Sequence, residues 1–586
     1  MPTPDPAVLA ARQAMSQGQM AQASQLLAPL LAQHPPHAEA NYAMSMLTLL
    51  TRGPAAAEPY ARTAHNAEPA CFDYHLQLLS TVMLQGRNAE AVEGFERLAY
   101  ANAADPRGWV MLASTLLKLN RAAEAERHSR TARQHHPKLG EVLLNHATAL
   151  LRIGEGAESL QILRDLIPNE PRLLRAWIGF ASGMNYTPGV SPQELTSTHK
   201  RAAEFFGTPA PRARPANADP ARRLRVGILS PDLRDHSVGY FVPPLLSRLA
   251  PHGLDITVLD SGTTRDAMNK KLRTLAGFSG GKWIDLGQLT KPADTESAIR
   301  AENLDIVIEL SGFTQGQRYA SLAKRPAPVQ MTYLGYPATT GCPFIDFRLV
   351  DALTDPPGSE EHCVEALERI QTCFLCYTPP ATRPGPRQPP DAPPVFGCFN
   401  SIQKYSNPML SAWAKVLLAV PDSTLICKTA GFEDDDVCER TLARLEALGI
   451  ERDRVQLIGR IEDSAGHLDL YNSIDIALDS FPYHGTTTTC EALAMGVPVV
   501  SLVGNVHASR VGLSLLSAVG LGHLAAPSEG NFVAAAVKLA SDREHLSQLH
   551  QTLRDRLEAS PLCDAEGFGK RFANAVRAAW TRACGW

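Results

Sequence analysis

The sequence predicts an α-helical repeat array followed by an α/β region of two Rossmann-like lobes. Turn residues recur about every 34 positions through the first third of the chain. From Leu224 onward, short apolar strands alternate with helix-length stretches, the pattern of parallel sheets buried on both faces. A proline-rich stretch then splits those strands into two sets.

Size and composition bound the rest. A chain of 586 residues is too long for one core, so about two to four domains are expected. Apolar residues make up 44% and charged residues 20%, as in soluble globular proteins. A formal charge of −4, with no long Lys/Arg run, argues against nucleic-acid binding. The 11 cysteines form no disulfide framework, which points to a reducing compartment. Cys373 and Cys376 make a lone CxxC without the second pair of a zinc site, and read as core residues. The opening MPTPDPAVLAARQ lacks the basic and apolar regions of a secretion signal, and no apolar run reaches membrane-spanning length. A cytoplasmic location is expected.

In the array, the turn residues are Gly18, Gly53, Gly86, Asn120 and Gly154, spaced by 35, 33, 34 and 34. Small residues stand five positions beyond four of them, at Ala23, Ala91, Ala125 and Ser159, where helices would cross closely. Pro36, Pro69, Pro106, Pro137 and Pro171 recur as helix ends. This is the tetratricopeptide signature, and such helix pairs stack into a superhelix with a concave face. Residues 1–185 are assigned to these repeats. Residues 186–222, turn-rich apart from a helical stretch at 194–206, read as a capping segment and linker.

The first lobe is expected over 223–385, with strands at 224–230, 254–259, 304–310 and 329–334. The second is expected over 386–586, with strands at 395–399, 424–428, 455–458, 474–479 and 497–503. The proline-rich segment 379–394 divides them. Ligands of such sheets bind beyond the carboxyl ends of the strands, in the crevice between domains.

The segment 479–498, DSFPYHGTTTTCEALAMGVP, is the richest candidate there. A strand is followed by a turn at His484-Gly485, four threonines and a helix-forming stretch. A helix N-terminus offers N–H groups and a positive dipole end to a phosphate. Thr486, Thr487 and Thr488 add hydroxyls beyond what one helix cap needs. In SPDLRDHSVGYF, His236 follows the first strand, where it serves as a general base or as a local hydrogen-bonder. Asp232 and Asp235 orient it or cap the next helix. Gly335, in LGYPATTG, would let backbone approach a ligand. Lys404 follows a strand end and is either a cation for a leaving diphosphate or a solvated lysine. His467 begins an apolar helical stretch, stacking on a base or lying at the surface. The acidic run 433–436 contains DxD, but a helix follows at 437–448, so capping is expected and no metal is predicted. Neither GxGxxG nor the P-loop pattern occurs, which argues against dehydrogenases and P-loop NTPases.

The repeats and the segments SPDLRDHSVGYF, RPAPVQMTYLGYPATTG, FNSIQK and DSFPYHGTTTTCEALAMGVP, in that order, resemble the O-GlcNAc transferase and SPINDLY group of protein glycosyltransferases. The resemblance covers nearly the whole chain. It implies a two-lobed GT-B fold and inverting, metal-independent transfer from a sugar nucleotide to Ser/Thr hydroxyls of proteins, with no cofactor besides the donor; His467 as a uracil-stacking residue is the feature that points to GlcNAc from UDP-GlcNAc. It makes His236 the active-site histidine, Lys404 the diphosphate contact, and Asp285, in KWIDLGQ, a further cleft carboxylate. Leu334, Gly335 and Tyr336 would line the sugar pocket, and His467 would stack on uracil. Thr486, Thr487 and Thr488, after Gly485, would hold the diphosphate, and Glu491 the ribose.

Ser401 stands where the animal enzymes carry glutamine, and Thr486 where they carry histidine. FPYHGTTTTCE and HSVGYF sit closer to the SPINDLY branch, whose plant members use GDP-fucose, so protein O-fucosyl transfer is the alternative. Two more candidate functions are glucosyl transfer to Asn and a tetratricopeptide adaptor with an inactive transferase region. Acceptor proteins are the expected partners of the concave face; nucleic acid and membrane are not.

Overall fold

The computed structural model describes residues 5–215, 217–385 and 392–585. It divides into two compact units, Met1–Arg152 and Ile153–Trp586.

The first unit is a helical repeat region. Helices α1 (Pro6–Ser16) and α2 (Met20–Leu31) pack as a pair, followed by α3 (Ala38–Arg52) with α4 (Pro54–Ala67) and α5 (Phe72–Leu84) with α6 (Asn88–Ala101). Then come α7 (Pro106–Lys118) with α8 (Ala122–His135), and α9 (Gly140–Arg152). Gly18, Gly53, Gly86 and Asn120 sit between the helices of each pair at φ of 77°, 89°, 79° and 61°. Glycine, and next asparagine, take this left-handed conformation at least cost. Ala23, Ala91 and Ala125 are fully buried in the close helix contacts, where a longer side chain would wedge the pair apart. Pro106 departs from the expected helix end. It is the first residue of α7, where its missing N–H costs nothing.

The second unit begins with α10 (Gly156–Leu166), α11 (Leu174–Met184) and α12 (Pro192–Ala203), the last continuing as a 3₁₀ turn, Glu204–Phe206. Two parallel sheets follow. The first contains β1 (Leu224–Ser230), β2 (Leu254–Asp260), β3 (Lys282–Asp285), β4 (Ile306–Glu309), β5 (Val329–Tyr333), β6 (Phe347–Val350) and β7 (Ala366–Arg369), in the order β3-β2-β1-β4-β5-β6-β7. The second contains β8 (Val395–Cys398), β9 (Thr424–Lys428), β10 (Val455–Ile458), β11 (Ile476–Leu478), β12 (Val499–Leu502) and β13 (Ala525–Ala526), in the order β10-β9-β8-β11-β12-β13. The strand order reverses between β1 and β4, and again between β8 and β11. These reversals are where doubly wound sheets open a crevice.

Four strands lie outside the expected set. β3 and β7 are edge strands with exposed positions, so neither reads as an apolar run. β13 has two residues. β6 carries Arg348 in its centre, only 4% exposed and 3.5 Å from Asp355. A buried charge is tolerated only when paired, and that pairing is invisible in the sequence of β6.

The lobes are tied across their interface. His507 Nδ1 lies 2.5 Å from Asp355 Oδ2, and Ser514 Oγ donates to Asp351 Oδ2 at 2.5 Å. The last helix, Ala565–Cys584, returns to the first lobe, where Phe572 meets Tyr333 edge to face at 5.2 Å. Residues 386–391 of the proline-rich divider, and with them the expected 385/386 boundary, lie outside the described residues. Cys373 and Cys376 are buried free thiols. The acidic run does cap a helix: Asp434 accepts from Asp436 N–H at 3.1 Å ahead of Asp435–Glu446. Among the described residues no helix is long and apolar enough to cross a membrane.

Candidate active site

At the β8–β11 reversal one carboxylate organises the crevice. Asp479, just past β11, is buried. Its Oδ1 accepts from the N–H groups of Ser480 (2.8 Å) and Gly485 (2.7 Å) and from Asn400 Nδ2 (3.2 Å). Its Oδ2 accepts from Ser501 Oγ at 2.6 Å. These bonds fold residues 480–485 back against the end of β8, where helix Thr487–Ala494 begins. Gly485 is sterically required, because a Cβ would lie 2.5 Å from Thr488 Oγ1.

The helix start divides the threonines by role. Its first intrahelical bond runs from Cys490 N–H to Thr486 O (3.1 Å), so the preceding N–H groups face outward from the N-terminus. Thr488 Oγ1 donates to Asn400 Oδ1 (2.8 Å), and Thr489 Oγ1 to Gly485 O (3.1 Å). Thr486, at the N-cap, makes no side-chain capping bond. Thr487 Oγ1 is buried without a hydrogen-bond partner among the described residues. An unsatisfied buried hydroxyl costs about 1–3 kcal/mol, so this is the group with most to gain from a ligand oxygen.

Lys404 reaches the same place through the 3₁₀ turn Ile402–Lys404. Its Nζ donates to His484 O at 2.7 Å and lies 4.1 Å from the centre of the Tyr483 ring. Burial lowers its pKa to about 8, with Asp479 pulling the other way. An ammonium held by a carbonyl and a ring face, with no carboxylate in ion-pair contact among the described residues, keeps its charge available for an anion. Ser401 is exposed, and its carbonyl accepts from Lys404 N–H at 2.9 Å, so it shapes the turn through its backbone.

Farther along the same helix, Glu491 Oε2 accepts from Tyr471 OH (3.2 Å) and lies 3.1 Å from His467 Nε2. His467 Nδ1 is 3.2 Å from Lys428 Nζ. Both nitrogens of the His467 ring are therefore engaged, and the ring meets that of Tyr471 edge to face at 5.7 Å.

In the first lobe, His236 follows β1 and caps the helix Ser237–Phe241. Its Nδ1 accepts from Val238 N–H at 3.3 Å, which puts the hydrogen of the neutral ring on Nε2. Burial lowers its pKa, against the attraction of Asp232. Asp235 Oδ1 accepts from Tyr240 OH at 2.6 Å. Burial, and then this bond to Asp235, raise the Tyr240 pKa.

The remaining candidates are placed differently. Leu334 takes a positive φ of 46°, and a Cβ on Gly335 would lie 1.7 Å from Leu310 O. The backbone approaching Gly335 is thus the neighbouring 310–312 loop of the chain itself. Tyr336 is buried, and its hydroxyl is occupied by Asn185 Nδ2 (3.1 Å) and His199 Nε2 (2.8 Å). Asp285 ends the edge strand β3, clamped by Arg273 (2.6 Å) and Arg265 (2.8 Å), and the Arg273 bond lowers its pKa. Among the described residues no cluster of His, Cys, Asp or Glu is arranged to hold a metal. Sequence reasoning passed over Asp479, Asn400, Tyr471 and Lys428. Asp479 and Lys428 carried a readable signal, a charge at the end of a buried strand.

The profile of glycosyl transferase family 41 matches residues 207–377 and 381–572. The probable UDP-N-acetylglucosamine–peptide N-acetylglucosaminyltransferase SPINDLY of Arabidopsis thaliana is 41% identical over 370 residues, 62% of this chain and 40% of the relative. The protein named SEC from the same plant is 26% identical over 402 residues, 65% of this chain and 40% of the relative. The chain thus spans about two fifths of the length of these relatives. The structure of a Thermobaculum terrenum O-GlcNAc transferase mutant superposes with a TM-score of 0.81 at 29% identity, covering 88% of this chain and 98% of that one. The family profile falls on both sheets and on the loops that carry His236, Lys404 and the threonine helix, and the chain belongs to glycosyl transferase family 41.

Proposed function

We propose that the protein transfers GlcNAc from UDP-GlcNAc to Ser or Thr hydroxyls of proteins, with inversion and without a metal ion. The observation that carries this reading lies at the β8–β11 reversal. There Lys404, a cation with no ion-pair partner among the described residues, meets the start of helix Thr487–Ala494. An acceptor hydroxyl oxygen attacks the anomeric carbon while the bond from that carbon to the diphosphate breaks on the opposite face, and the hydroxyl proton passes through water to an oxygen of the departing diphosphate. The nucleoside diphosphate leaves with the bonding pair toward Lys404, the helix N–H groups and Thr487. These groups act on charge that grows in the transition state, which is where fixed dipoles and cations accelerate a reaction. His236, with its hydrogen on Nε2, supplies a hydrogen bond from the opposing lobe. Names of relatives as UDP-N-acetylglucosamine–peptide transferases support the donor. The repeats, in this reading, recruit acceptor proteins along their concave face.

A second reading, O-fucosyl transfer from GDP-fucose, is favoured by the higher identity to SPINDLY sequences, 41% against 26% for SEC. A thermal-shift panel of UDP, GDP, UDP-GlcNAc and GDP-fucose tests both. Stabilisation by UDP and UDP-GlcNAc alone is the expected result. Stabilisation by GDP and GDP-fucose would replace the donor, and no shift with any of the four would leave an inactive adaptor. Activity is expected to survive EDTA; strict Mn²⁺ dependence would contradict the metal-free mechanism.

A further inference from the structure

Lys428 ends β9, beside the strand that delivers Lys404, yet its charge has a different partner. Its Nζ lies 3.2 Å from His467 Nδ1. An ammonium only donates, so Nδ1 is the acceptor and the ring hydrogen sits on Nε2. That nitrogen lies 3.1 Å from Glu491 Oε2, which also accepts from Tyr471 OH at 3.2 Å. The result is a directed chain of donors, Lys428 to His467 to Glu491, ending on one carboxylate oxygen. The second oxygen, Glu491 Oε1, stands outside this chain and can meet a ligand.

The position is unusual for a lysine. Lys428 is half-buried, burial lowers its pKa, and among the described residues no carboxylate lies within ion-pair distance. A lysine serving only the fold would extend its head to water or pair it. Glu491, Arg460 and Glu433 are the other charges it senses. Glu433 is engaged by the N–H groups of Gly431 and Arg460, and Glu491 is reached through the histidine.

We infer that Lys428 is a positioning residue for the nucleoside end of a nucleotide ligand. It fixes the orientation and tautomer of His467 and, through it, the Glu491 carboxylate. This rests on the reading of the site as a sugar-nucleotide site. A direct phosphate contact is the competing role for a lysine here, and the two roles separate experimentally.

Binding of UDP, GDP and inorganic pyrophosphate is measured on the full chain and on its Lys428→Met and Lys428→Arg variants. The nucleotide that binds the wild-type chain is expected to lose about tenfold in affinity in Lys428→Met, the size of one charge-assisted hydrogen bond. Lys428→Arg, which still donates, recovers most of it. Pyrophosphate affinity stays the same in all three, which also reports that the site is folded. Histidine side-chain ¹⁵N spectra, assigned with His467→Gln, should show His467 as the Nε2–H tautomer in the wild type and released in Lys428→Met. A parallel loss of pyrophosphate affinity, nucleotide affinity within about twofold of wild type, or an unchanged His467 tautomer would overturn the inference. Binding of neither UDP nor GDP to the wild-type chain would remove the sugar-nucleotide reading and this inference together. Wild-type binding with an unaffected Lys428→Met removes the inference alone.

Discussion

The two halves of the site are built in opposite ways. In the second lobe, Asp479 alone gathers two backbone N–H groups, an amide and a hydroxyl, and Gly485 leaves no room for a side chain. In the first lobe, His236 makes one 3.3 Å bond to Val238 N–H, lies 3.9 Å from Asp232, and keeps 37% of its side chain exposed. On the proposed reading, a half that always meets the same diphosphate and nucleoside gains by being fixed in advance, since ordering it on binding would cost affinity. A half that must admit different acceptor chains gains by staying open. Under the proposed function, the rigid half would set what is transferred and the open half would admit what receives it.

Four experiments probe this contrast. Lys404→Ala strikes the rigid half and is expected to lower turnover about a hundredfold or more, the scale of losing one fixed transition-state partner. Turnover near wild type at saturating donor would remove Lys404 from the reaction. His236→Ala strikes the open half and should cost about tenfold, the size of one lost hydrogen bond. Because the ring hydrogen is on Nε2, His236→Gln, which keeps a donor, should retain clearly more activity than His236→Ala; equal losses would instead point to a base.

The third is a pH titration. Burial depresses the Lys404 pKa from the usual 10.5 to about 8, so the free protein loses this charge as pH rises through 8. Diphosphate affinity measured calorimetrically should then weaken by up to about tenfold per pH unit above 8, and Lys404→Met should abolish that slope. Stability runs the other way. The charged form is penalised in the fold, the penalty is full below pH 8, and it is relieved as pH rises from 8 toward 10.5. The smallest effect is expected from Thr487→Val. It removes a hydroxyl that has no partner among the described residues, so diphosphate affinity should fall about three- to tenfold while unfolding of the free protein is unchanged or slightly harder. A loss of stability in Thr487→Val would show that the hydroxyl serves the fold.

Much of the fold was legible because its signals are local. The 34-residue spacing marks the positions that must take positive φ, and Gly18, Gly53, Gly86 and Asn120 all do. The centres of both sheets read directly as apolar runs. β3, β6, β7 and β13 did not, because an edge strand need not be apolar and Arg348 is neutralised by a residue outside its own strand. In the site, Lys404 and the threonine loop follow from their places after strands. The separation of Thr487 from Thr488, the occupied hydroxyl of Tyr336 and the two arginines on Asp285 depend on partners distant in sequence.

The helical array, the parallel sheets and the strand ends that could carry a ligand are all written in local sequence. Each of these follows from periodicity, and periodicity is a property of neighbouring residues. Which of those strand ends come together is set by the order of strands in the folded sheet. Strand order reverses between β8 and β11, although β9 and β10 lie between them in the chain. At that one point Lys404, Asp479 and the start of the threonine helix share a crevice. Long-range pairing also decided which polar groups are already satisfied and which are left for a ligand, because a hydrogen bond needs two partners and the chain brings them from different places.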